Sequence, residues 1–116
     1  MAVVLNRRAL DNAKRLLDNG DFMINTVWAT SAPTPDEETR YIEQHGWDAF
    51  SEWYLGIDTD EPAESRAHYV LPYGNFRKLH RSGVIAGKRQ AAQNRYDDIV
   101  EGADELLDLL DRMNAC

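Results

Sequence analysis

Apolar positions recur every three or four residues over several stretches of this chain, the mark of amphipathic helices. After Asn6, the residues Ala9, Leu10, Ala13, Leu16 and Leu17 share one face. Asn6 is placed to cap that helix, and Asn19-Gly20 supplies a left-handed residue to end it. The last helix has the clearest pattern. Ile99, Ala103, Leu106, Leu110 and Met113 form its apolar stripe, while Glu101, Asp104, Glu105, Asp108 and Asp111 face away. Asp98 with Glu101 three residues on predicts a capping box at its start.

The middle of the chain is more broken. Thr34, Pro35 and Glu37 predict a second helix opening with a capping box and a proline in its first turn, stopped by His45-Gly46. Trp47, Phe50, Trp53 and Tyr54 continue at helical spacing, which predicts a further short helix over 47–55 closed by Gly56. Such aromatic area belongs in a core before it belongs in a ligand wall. Ser82 is the expected N-cap of a helix over 83–93, rich in small residues and ended by a left-handed Asn94. Lys88 falls on its apolar side and needs an acid or a path to solvent. The segments 22–24 and 68–71 read as extended and could pair, 26–33 as a loop anchored by Trp28, and 72–75 as a turn. The fold class is mainly α: a single compact domain over 1–116, four to five helices with one short two-stranded β flap.

Composition leaves this picture in place. Hydrophobic residues at 43% and charged residues at 28% are ordinary for a globular chain. No apolar run reaches the roughly 20 residues that span a bilayer, and the N-terminus lacks the order of a secretory signal, so a cytoplasmic protein with no membrane partner is expected. Charge changes the picture more. The net −7 hides segments of +1 over 1–31, −9 over 32–65, +7 over 66–96 and −6 over 97–116. The third segment holds Arg66, Arg77, Lys78, Arg81, Lys88, Arg89 and Arg95 without one acid.

Recognisable chemistry is sparse. There is no phosphate-cradling glycine loop and no His-Glu-x-x-His. Cys116, the only cysteine, allows no internal disulfide and sits on a terminus too loose for a nucleophile. His45, His68 and His80 are too far apart in sequence to share a helix face, so no metal site is expected. Asp58, Asp60 and Glu61 lack the glycine and closing glutamate of a calcium loop. Ser82 beside His80 serves better as a cap than as a nucleophile. No catalytic residue and no cofactor is assigned.

Two stretches, Glu-Gln-His-Gly-Trp through Gly-Ile-Asp over 43–58 and Leu-Pro-Tyr-Gly-Asn-Phe-Arg-Lys-Leu-His-Arg-Ser-Gly-Val-Ile-Ala over 71–86, resemble an uncharacterised family of small bacterial proteins of unknown function. The resemblance implies one independent folding unit and carries no activity.

The residues themselves point to one place. Arg77, Lys78, His80, Arg81, Ser82 and Gly83 crowd a helix start whose free N–H groups attract anions and whose dipole disfavours cations. An anion is expected there: acids of the chain itself, or an external phosphate ligand or acidic protein. Nucleic acid is disfavoured by the net negative charge. The first expectation is thus a non-enzymatic binding or adaptor protein using segment 66–96. The alternatives are a small-molecule pocket or enzyme between the helix start and an aromatic wall of Trp47, Trp53, Tyr73 and Phe76, and a self-assembling structural component.

Overall fold

The computed structural model describes residues 3–114, so Cys116 lies outside the described residues. The elements run β1 (Val3–Leu5), α1 (Arg7–Asp18), β2 (Phe22–Met23), α2 (Trp28–Ser31), α3 (Pro35–Ser51), β3 (Tyr54–Asp58), β4 (Tyr69–Pro72), β5 (Leu79–His80), α4 (Arg81–Gln93) and α5 (Asp97–Asn114). More than half of the described residues are helical, as expected. The strands exceed a flap: β1, β3 and β4 form an antiparallel sheet with β3 central, and β2 pairs with β5 in parallel.

The central strand replaces the end of the helix expected over 47–55. The chain does break at Gly46, whose φ of 85° suits glycine, but helix resumes only as far as Ser51. After a turn at Glu52 and Trp53, Tyr54 and Leu55 open β3, where the register sets Leu5 opposite Gly56 and Gly56 opposite Val70. Gly56 is required there, since a Cβ would come within 2.7 Å of the Val70 Cγ2. Of the 68–71 segment, His68 ends a 3-10 turn and Tyr69, Val70 and Leu71 belong to β4, whose partner is β3 rather than 22–24. Within the expected loop at 26–33, Trp28–Ser31 forms a single helical turn.

The capping box of α3 forms as expected: Thr34 Oγ1 accepts from the Glu37 N–H, and Glu37 Oε1 accepts from the Thr34 N–H. Three other caps do not. Asn6 precedes α1 but its side chain donates to the Ser51 and Tyr54 carbonyls at 2.7 and 2.9 Å. His80, not Ser82, is the N-cap of α4, and Ser82 lies inside the first turn. Asp98 lies inside α5, where its two oxygens accept from the Ile99 and Leu5 N–H groups at 2.9 and 2.7 Å. At the end of α4 the left-handed residue is Arg95, φ 60°, because the Asn94 side chain turns back to the Gln90 carbonyl.

The core gathers Leu10, Leu16 and Leu17 of α1, Phe50 of α3, Leu55 of β3, Val84 of α4, and Ile99, Leu106 and Leu110 of α5. Met113 departs from its predicted stripe and is 39% exposed, because the apolar seam ends one turn earlier at Leu110. Gly83, Gly87 and Ala91 let α4 lie close to its neighbours. Bases meet acids across this layer: Lys88 pairs with Asp104, Arg81 with Asp111 at 3.3 Å, and Lys14 with Glu105 at 2.6 Å. Part of the basic segment is therefore answered by the acidic face of α5.

Candidate functional site

The crowded start of α4 is a closed junction. His80 is 4% exposed; its Nδ1 lies 2.8 Å from Thr26 Oγ1, which in turn lies 3.2 Å from Ser82 Oγ. Gly83 is buried under the Trp28 ring, leaving no room there even for a methyl group. Burial, followed by the nearby Lys78 charge, holds His80 below the ordinary histidine range, and its Nε2 has no hydrogen-bond partner among the described residues. Arg81 is engaged with Asp111. Ser82 and His80 thus meet through a threonine in a partly buried network.

Arg77 and Lys78 are exposed in the turn that precedes β5, where both backbone N–H groups donate to Asn75 Oδ1. Between them and the buried residues stands Phe76, at φ 69°. A bulky residue in this left-handed region costs about 1–3 kcal/mol and persists only where its surroundings hold it. Here the surroundings are rings: Phe76 stacks on Tyr41 with centroids 4.4 Å apart and packs against Phe50 and Trp53.

Tyr41 belongs to α3, and with it the turn encloses an open cavity of about 260 Å³ lined by Glu37, Arg40, Tyr41, Gln44, His45, Asn75, Phe76 and Arg77. The helix contributes five of these at intervals of three and four residues, one face of the first part of α3. His45 packs tilted against Tyr41 with centroids 4.5 Å apart, so His45, Tyr41 and Phe76 form a continuous ring assembly along the wall. Glu37 is already tied to the Thr34 N–H. Arg40 and Arg77 have no carboxylate partner among the described residues.

Of the six residues expected to gather round an anion, only Arg77 lines this cavity. Of the expected aromatic wall, only Phe76 does. Trp53 and Tyr73 stack on one another inside the core, 5% and 0% exposed, and half-buried Trp47 lies over Tyr69 and against Phe50. The Tyr73 hydroxyl donates to the Glu52 carbonyl and accepts from Asn12, and burial holds it well above the ordinary tyrosine range. Tyr54 is raised further, by burial and then by its hydrogen bond to Glu38. Sequence reasoning missed Arg40, Tyr41, Gln44 and His45. Their signal was a polar and aromatic stripe on a helix read only for its start and stop.

The three histidines remain apart, and no group of three potential metal ligands occurs among the described residues. The Asp58–Asp60 turn is closed on itself, Asp58 Oδ1 accepting from the Asp60 N–H. A second cavity, of about 250 Å³, lies between the sheet and the end of α4, with Val3, Val70 and Leu71 as apolar walls and Asp58 and Tyr96 among its polar groups. Among the described residues no helix is long and apolar enough to cross a membrane. No family model, curated protein or solved structure matches the chain.

Proposed function

We propose that this is a binding protein that holds a small anion in the cavity between α3 and the 74–78 turn. The observation that carries the reading is the pair of guanidinium groups, Arg40 and Arg77, brought from distant parts of the chain to one cavity, where neither has an ion-pair partner among the described residues and the lining acid, Glu37, accepts from the Thr34 N–H. Lys14, Arg81 and Lys88, by contrast, each have a carboxylate. Two guanidinium forks beside a pair of side-chain amides, Gln44 and Asn75, make a polar rim suited to an oxyanion.

This reading keeps the anionic partner expected for segment 66–96 but moves it from the start of α4 to the turn before it. It also keeps the aromatic neighbour of the small-molecule alternative, with Tyr41 in place of Trp53. The family resemblance extends to the same place on this reading, since both of its stretches supply walls: Gln44 and His45 from the first, Asn75, Phe76 and Arg77 from the second.

The test is calorimetric titration of the protein with inorganic phosphate at low ionic strength, alongside Arg40→Gln, Arg77→Gln and an Arg89→Gln control on the exposed side of α4. Each charged hydrogen bond is worth about 1.5–3 kcal/mol, so each cavity variant is expected to weaken phosphate binding about tenfold or more, and the control to leave it unchanged. Equal weakening in all three would reduce the effect to net charge and refute the site.

A further inference from the structure

We infer, resting on the anion-site reading, that the ligand is a phosphate monoester of a single aromatic ring. The wall of the cavity is aromatic and already assembled: Phe76 stacks on Tyr41 with centroids 4.4 Å apart, and His45 packs tilted against Tyr41 at 4.5 Å. Rings fixed in this way lose little side-chain freedom when another ring comes against them, so the usual ordering cost of binding falls. The assembly is maintained against a backbone preference, because Phe76 keeps φ 69° where its ring lies on Tyr41. A cavity for a bare oxyanion needs no such wall.

The charges select the head group. Arg40 and Arg77 come from different elements and line the same cavity, which offers an anion two separate guanidinium groups. A carboxylate satisfies one fork with its two oxygens, whereas a phosphate monoester offers three terminal oxygens and a charge near −2. Glu37 sets a limit on the opposite sign, one carboxylate held at the helix start by the Thr34 N–H. Size limits the rest. About 260 Å³ lies at or below the lower end of small-molecule sites, which suits one ring and its phosphate rather than a dinucleotide. The phenyl phosphate group occurs free and as the side chain of phosphotyrosine; both carry the same chemistry.

The experiment titrates the intact protein with inorganic phosphate, ethyl phosphate, phenyl phosphate and a phosphotyrosine peptide. Phenyl phosphate is expected to bind about tenfold more tightly than ethyl phosphate, the scale of one ring–ring contact. In His45→Ala and Tyr41→Ala the preference for phenyl over ethyl phosphate is expected to shrink. The exposed His45 site keeps the test usable should Tyr41→Ala not fold. A peptide bound more tightly than phenyl phosphate places the group on a protein, and a weaker one places it on a small molecule; either supports the inference. Equal affinity for ethyl and phenyl phosphate overturns it while leaving the anion site standing. If none of the phosphates binds, the anion site fails with it.

Discussion

Replacing Asn6 by Asp separates two accounts of the same residue by several kcal/mol. As a helix cap, Asn and Asp are nearly equivalent, and the added negative charge at a helix start is mildly favourable, so the exchange would be neutral or better. In the structure Asn6 is 3% exposed, and its amide donates to the carbonyls of Ser51, where α3 ends, and Tyr54, where β3 begins. Its own backbone N–H donates to Leu55 at 2.8 Å, so one residue fastens the start of α1 to the turn joining α3 and β3. An ionised aspartate has no donor to offer. Two buried carbonyls lose their partner at about 1–3 kcal/mol each, and a carboxylate is pressed against them, giving a loss of at least about 2–6 kcal/mol. Against a total of about 5–15 kcal/mol for a domain of this kind, that is a large share. Urea denaturation at pH 7 measures it. The carbonyls and burial oppose ionisation of the introduced carboxyl, so its folded pKa lies above the unfolded value near 3.9. The deficit is therefore smallest below about pH 4 and grows as pH rises through the folded value. A loss under about 1 kcal/mol at pH 7, or a deficit independent of pH, would return Asn6 to a simple cap.

Gly83→Ala improves helix propensity by about 1 kcal/mol, yet the new methyl would stand 2.8 Å from both the Trp28 ring and the Tyr73 carbonyl. The expected outcome is a lower melting temperature, and a rise would show that the start of α4 is open. His80 is held below its ordinary range by burial and then by Lys78, so the unfolded chain takes up its proton first. The stability tied to that neutral ring is complete above about pH 6.5 and is lost as pH falls through the folded value. His80→Gln is expected to flatten that arm of the urea-midpoint profile between pH 8 and 5, and an unchanged slope would remove His80 as its source.

The elements that were legible in the sequence are those whose causes are local. The Thr34 and Glu37 capping box acts over three residues and forms as read. The Ile99, Ala103, Leu106 and Leu110 stripe needs only its own spacing, and all four side chains are buried. Where the cause is distant, local reading misleads. Trp53 and Tyr54 stand at helical spacing from Trp47 and Phe50, yet β1 and β4 draw the chain that follows into a sheet. Val3, Val4 and Leu5 are too few to show a period, and their partners lie more than fifty residues on. Asn6 shows the same thing for a side chain, with carbonyl partners 45 and 48 residues away. The candidate site was half legible. Arg77 and Phe76 stood out beside the basic block, whereas Arg40 and Tyr41 were concealed within an acidic helix until the turn folded over them.

The bond from Leu5 to Asp98 joins residues 93 apart and fills a position on the outer edge of β1. An edge strand with free N–H groups is a template for adding a foreign strand, and a carboxylate seated there blocks it. On a ribosome that guard arrives late. At about 5–20 residues per second, β1 is exposed for about 5–20 seconds before residue 98 is made. The interval in which a nascent chain could be captured by a neighbour is therefore set by the length of the polypeptide between these two residues, and a chain cut before α5 never closes it.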